Sequence, residues 1–317
     1  MLEKRIDKFE RVCREVGADV NAFPQAKFIQ SLCDDGHGDF KEMMYRFVVS
    51  RLERGDYSNW EGWEYRSDWA EQTYLDLPNK RWRLEPCTSI AVLGEQGIGD
   101  ELLFSTCLPD LTKMVGQVVV ECDPRLMGVL SRLWHVSTRP RTDLSLKRPE
   151  DYFIPMGDLP RLFRKKKEDF PKSSILCAKP EMVEKWKHLK GMTGLAWRGR
   201  RGKHKPQDFG LKNPVCLQYD AWDYETEGMI VPDCDLKNDI EDILGILANL
   251  ERVVTVPQTI VHLAGISGVK VDVIIPPVSS GRVIDAWQWG YGLGSKMDWY
   301  DSVTVYQSLK AFCASSL

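Results

Sequence analysis

The chain has 317 residues, of which 43% are hydrophobic, 28% charged and 10% aromatic; this profile excludes a disordered or fibrous protein, and the length suggests two compact units. Forty-three Lys and Arg against 46 Asp and Glu leave a formal charge of −3, so no global basic excess points to nucleic acid as the main partner. The first 20 residues carry charges at nearly every turn, and no stretch reaches about 18 uninterrupted apolar residues, so the expectation is a cytoplasmic protein without membrane insertion.

From residue 5 to about 33, and again over 39–52, apolar residues recur at three and four positions, which predicts amphipathic helices. Gly36, Gly38 and Gly55 punctuate these runs, so the first 60 residues read as helical hairpins. A Trp-rich connector follows to Trp82, and its aromatics read as docking anchors between units, because large flat side chains bury the most area per residue. The rhythm then changes. Residues 89–93 fit a buried strand, 94–100 a glycine turn, 101–114 a helix, 118–121 a second strand and 124–133 a second helix, the βαβ grammar of a parallel sheet. After a weaker stretch over 147–172 the grammar returns, with strands at 193–197, 214–218, 229–231, 252–256 and 271–275 and helices at 239–249 and 258–267. Two α/β halves meet near 175–190, where Pro180 opens a helix, and 302–314 reads as a terminal helix. The nine cysteines are scattered singly, without a CxxC pair or a neighbouring His at ligand spacing, and read as reduced thiols with no metal site.

In open parallel sheets, ligands bind beyond the carboxyl ends of the strands, and three segments fall there. In Gly94-Glu-Gln-Gly97-Ile-Gly99-Asp100, glycines permit close backbone approach, and Asp100 stands at a helix start as either a cap or a catalytic carboxylate. In Trp197-Arg198-Gly-Arg200-Arg201-Gly-Lys203-His204-Lys205, five cations and a His follow a strand, as either a solvated loop or a phosphate site. The third segment runs through Pro257 and Gln258 into a helix bearing Thr259 and His262; these could serve a diphosphate at a positive helix end, or His262 could be a core residue. The basic run over 161–172 carries acidic neighbours and reads as surface.

The order GDY-W-EGWEYR, GEQGIGDELLF, PMGDLP, GLAWRG, PVCLQYD and VPQTIVHLAGISG resembles bacterial tetratricopeptide-repeat proteins that end in a glycosyltransferase domain of the GT-B fold, related to the heptosyltransferases of lipopolysaccharide synthesis. The resemblance covers about residues 39 to 300. It implies an α/β protein with a short helical, tetratricopeptide-like module and connector over 1–85, a first Rossmann-like acceptor domain over 86–180, and a second Rossmann-like nucleotide-sugar domain over 181–317. A final helix would return to the first domain through Val303, Val305, Leu309 and Phe312.

Carried over motif by motif, the resemblance makes Asp100 the general base, with Glu95 as the alternative carboxylate. It puts Arg198, Arg200, Lys203, Thr259 and His262 on the donor diphosphate, Gly97 and Gly99 in the glycine loop, and Gln218 and Gln258 on the donor side. The partner is then a nucleotide-diphosphate sugar used as substrate, with no cofactor. Direct displacement at an anomeric carbon needs a base at the acceptor hydroxyl and positive groups at the leaving diphosphate, so the expected transfer is inverting and metal-independent. The family usually has Asp-Thr or Asp-Ser where this chain has Pro257-Gln258-Thr259, which favours as alternative a scaffold that has lost donor chemistry. The acceptor could be a saccharide, a protein or a modified DNA base; the last is motivated by the basic runs at 161–172 and 198–205 and opposed by the whole-chain charge.

Overall fold

The computed structural model describes residues 40–53, 55–58, 60, 62–66, 79–141, 147–171, 176–199, 204–275, 287–289 and 296–315. The expected hairpins before residue 40 lie outside these residues, as do Arg200 and Lys203.

Among the described residues, ten parallel strands form two separate five-stranded sheets. The first contains β1 (Lys80–Arg81), β2 (Ser89–Leu93), β3 (Gln117–Cys122), β4 (Ser137–Pro140) and β5 (Tyr152–Pro155), in the order β1-β5-β2-β3-β4. The second contains β6 (Thr193–Ala196), β7 (Val215–Cys216), β8 (Arg252–Thr255), β9 (Lys270–Ile274) and β10 (Val303–Tyr306), in the order β10-β9-β8-β6-β7. The central strands are short runs of branched apolar residues buried on both faces, as parallel sheets covered by helices require. Their registers stack Ile90 beside Val118 and Val253 beside Val271.

The helices are α1 (Phe40–Glu53), α2 (Ile98–Ser105), α3 (Leu108–Leu111), α4 (Met127–Trp134), α5 (Leu159–Phe163), α6 (Pro180–Lys185), α7 (Ile240–Asn249), α8 (Thr259–Ile266) and α9 (Leu309–Ser315). No helix among the described residues is long and apolar enough to cross a membrane. In each sheet the chain adds strands on one side of its first central strand and then crosses to the other. The switch points fall between β2 and β5 in the first sheet and between β6 and β8 in the second. Those crevices are where α/β sheets bind ligands.

The Trp-rich connector is an anchor. Trp60 and Trp63 are buried and donate their indole N–H groups to the carbonyls of Arg164 at 2.7 Å and Gly157 at 2.6 Å. Trp63 meets Trp287 edge-on with ring centroids 4.9 Å apart, and Trp299 packs on Phe104 at 6.3 Å and Phe170 at 4.9 Å. Residues just before β10 therefore cross to the first sheet and the connector.

This corrects the expectation for the end of the chain. Residues 303–306 are a strand, not helix: Val303 and Val305 are buried and alternate with half-buried Thr304 and Tyr306. Helix α9 does not return to the first sheet. Its Phe312 belongs to a core with Leu195, Trp197 and Phe209 on the second. Residues 229–231 reduce to one bridge between Ile230 and Val215. The 161–172 run is only partly surface: Lys165, Lys166 and Lys167 are exposed, while buried Arg164 reaches Asp110 at 2.9 Å.

Candidate functional site

The chain leaves β2 through Gly94 and starts α2 at Ile98, three residues before the expected start at 101. Gln96 takes a left-handed φ of 60° in this loop, an unusual conformation for a residue with a side chain. Asp100 is therefore inside the first turn and is not the N-cap. Gly97 is the N-cap, and its N–H donates to Asp100 Oδ2 at 3.2 Å.

Glu95 faces elsewhere. It is fully buried, and Arg66 of the connector donates to its Oε1 at 2.6 Å and its Oε2 at 2.7 Å. The same guanidinium donates to Asp158 Oδ1 at 3.0 Å, and Arg81 Nε donates to Asp158 Oδ2 at 3.1 Å. Burial pushes the Glu95 carboxyl up, opposed by Arg66; burial also works against the Asp158 charge, but Arg66, Arg81 and Arg161 together hold that carboxyl below its usual range. Glu95 lies after β2 and Asp158 after β5, so Arg66 fills the switch-point crevice of the first sheet. A carboxylate bonded on both oxygens in this way is a poor candidate for taking an acceptor proton. Sequence reading missed Arg66 and Asp158, although both lie in the quoted motifs WEYR and PMGDLP.

On the second sheet, the exit from β6 is braced by Gln218. Its Oε1 accepts the N–H groups of Trp197 at 3.1 Å and Arg198 at 2.9 Å, and its Nε2 donates to Asp220 at 2.6 Å. The Arg198 guanidinium turns to Glu225 at 2.5 Å and to the Asp220 carbonyl at 2.6 Å. Gly199 allows the loops after β6 and β8 to touch, since a Cβ there would stand 2.6 Å from the Pro257 carbonyl oxygen. Gln258 is the N-cap residue of α8 but makes no side-chain cap bond; its Nε2 donates back to Thr255 Oγ1 at 3.0 Å. Thr259 is the first helical residue.

The two halves meet where α2 and α8 begin. A Cβ at Gly99 would lie 2.9 Å from His262 Cδ2 and 3.8 Å from the Thr259 Cα, so only glycine permits this approach. The structure thus brings Gly99, between Gly97 and Asp100 in the same turn, to Thr259 and His262, and turns Glu95, Arg198 and Gln218 into supporting contacts. Gly99→Ala should lower unfolding stability by about 1–3 kcal/mol through overpacking. Gly97→Ala should cost less, because its Cβ would meet Asp100 at an ordinary 3.5 Å. Denaturant titration of both variants checks the contrast.

His262 is buried, with Nδ1 3.4 Å from the Tyr300 hydroxyl and its ring 5.6 Å from that of Trp289. Burial pulls its pKa down to about 4, so the ring is neutral in the folded protein at pH 7. The unfolded ring binds a proton below about 6.5. Its contribution to stability is therefore present above that pH and is lost as pH falls toward about 4. Unfolding midpoints at neutral and mildly acidic pH should diverge more in the parent than in His262→Phe.

A cavity of about 590 Å³ opens at the amino ends of β6, β8 and β9, lined by Thr193, Arg252, Lys270, Asp272, Lys296 and Ser302. It lies at the opposite end of the second sheet from the α2–α8 contact.

No family model matches the chain. Protein FlbA of Caulobacter vibrioides is 25% identical over 307 residues, an alignment covering 78% of this chain and 49% of that protein. The chain thus spans about half the length of the curated relative it matches. A glycosyl transferase family 9 structure from Veillonella parvula superposes with a TM-score of 0.46 at 12% identity, over 62% of this chain and 83% of that one. The iron-containing dodecameric glycosyltransferase TibC of enterotoxigenic E. coli gives a TM-score of 0.38 at 10% identity, over 61% of this chain and 59% of that one.

Proposed function

We propose that the protein is a glycosyltransferase of GT-B type that moves a sugar from a nucleotide-diphosphate donor to an acceptor hydroxyl, with inversion and without a metal. The observation that carries the reading is the meeting of α2 and α8: the first turn of α2, which bears Asp100, packs through Gly99 on the start of α8 across the contact of two parallel sheets. The acceptor oxygen forms a bond to the anomeric carbon as the bond to diphosphate oxygen breaks, and Asp100 takes the acceptor proton. The first-turn amides of α8 and the cations at 200–203 offset the charge of the departing diphosphate. Arg66 bonds the carboxylates at the first crevice, which favours the second sheet, between the exits of β6 and β8, as the nucleotide site. The boundaries near 85 and 180, a tetratricopeptide-like module before them, cytoplasmic residence and a saccharide or protein acceptor belong to the same proposal.

A second reading, a scaffold without donor chemistry, is favoured by one observation: Arg198 and Gln258, both expected on the donor, are committed to Glu225 and Thr255. Isothermal calorimetry with a panel of UDP-, GDP- and ADP-sugars separates the two. The transferase should bind at least one at micromolar to millimolar concentration, as ordinary enzymes do. A scaffold gives no nucleotide-dependent heat with any of them.

A further inference from the structure

The loop that leaves β7 carries large aromatic side chains that no described residue covers. Tyr219, Trp222 and Tyr224 leave 54%, 63% and 74% of their surfaces open, and Val231, just beyond, 57%. Exposed apolar groups concentrated in one loop mark interaction sites more often than isolated ones do. The loop is also well anchored. Cys216 N–H donates to the Ile230 carbonyl at 2.8 Å, Ile230 N–H to the Pro214 carbonyl at 3.0 Å, and Trp222 N–H to Glu225 Oε2 at 2.9 Å, while Arg198 holds the Asp220 carbonyl and Glu225. Rings presented on a fixed backbone lose little entropy on binding.

The charge around them is one-sided. Residues 220–242 contain nine acidic residues against a single cation, Lys237; Arg198, Arg132, Lys179 and Lys185 from outside this stretch pair with Asp220, Glu225, Glu241 and Asp242, which leaves Asp223, Glu227, Asp233, Asp235 and Asp239 in excess. Asp220, Asp223, Glu227 and Asp233 are exposed. The patch also flanks the cleft, since Arg125 of the first half donates to the Lys237 carbonyl at 3.1 Å.

We infer that this loop is a docking surface for a basic segment of a partner protein, whose Arg and Lys side chains lie over Trp222 and Tyr224 and pair with Asp223 and Glu227. Cations over Trp and Tyr faces gain from the ring quadrupole, and the surrounding carboxylates steer the same groups inward. A nucleic acid would be repelled by the local charge. A neutral saccharide could stack on the rings and donate hydroxyls to the carboxylates, but it carries no charge for them to steer or neutralise. The inference goes beyond sugar transfer and is tested by binding alone, so either reading can fail without the other.

The test uses the full chain and a fluorescently labelled peptide of alternating Arg and Ser, followed by anisotropy, with an alternating Glu and Ser peptide and a neutral maltooligosaccharide as comparisons. The parent should bind the Arg peptide, more weakly as salt rises, and neither of the others. Trp222→Ala combined with Tyr224→Ala should weaken that binding about tenfold or more. Asp223→Asn combined with Glu227→Gln should weaken it and flatten its salt dependence. All four side chains are exposed, so thermal melts should match the parent. Equal binding by the ring variant, preference for the saccharide, or self-association of the parent that the same substitutions abolish would each overturn the inference.

Discussion

Asp100→Asn should lower sugar transfer by about 10²- to 10⁴-fold, the usual contribution of a general base, while the protein folds as before. The geometry allows this separation. Asp100 sits at the third position of α2 and accepts the Gly97 N–H at 3.2 Å through one oxygen. Asn retains an oxygen acceptor of the same shape, so the first turn keeps its bond. It removes the negative charge and the proton acceptor. A role confined to the helix end is worth about 1 kcal/mol and would leave turnover alone. Initial rates and thermal melts of the same preparation distinguish the roles: parental turnover in a normally folded Asp100→Asn would show that Asp100 only holds the Gly97 N–H in the first turn.

Arg66→Ala should destabilise the fold by about 3–5 kcal/mol, because it strands buried carboxylates rather than removing a surface ion pair. Glu95 and Asp158 are completely buried, and Arg66 bonds both oxygens of one and one oxygen of the other. Asp158 keeps Arg81, so most of the loss should come from Glu95. Glu95→Gln in the Arg66→Ala background should therefore recover part of the stability, since a neutral amide costs less to bury than an unpaired charge. Denaturant midpoints of the two single variants and the double variant measure the coupling, and strict additivity would contradict the network.

Arg66 also shows where the sequence stops being readable. Glu95 and Asp100 stand five positions apart in one motif, and either could be a catalytic carboxylate. What separates them is a guanidinium 29 residues before Glu95, placed by the packing of Trp60 and Trp63. Packing of that range leaves no trace in local periodicity. The central strands were legible because parallel strands buried on both faces read as near-continuous apolar runs, as in the last four residues of Ser89–Leu93. Strand β10 was not: Val303 and Val305 alternate, but Leu309 and Phe312 continue at helical spacing, and the two periods merge into one apparent helix. The pairing of Gly99 with His262 was hidden for another reason. Each residue has an ordinary local explanation, and only the approach of the two sheets makes the glycine obligatory.

The measurement that bears most directly on the account is a crystal structure with the nucleoside diphosphate selected by calorimetry. The account predicts the diphosphate at the start of α8, with its nucleoside over the crevice between β6 and β8 and the Asp100 carboxylate facing the sugar side. A diphosphate bound instead in the cavity at the amino ends of β6, β8 and β9, or no bound nucleotide at saturating concentration, would contradict it.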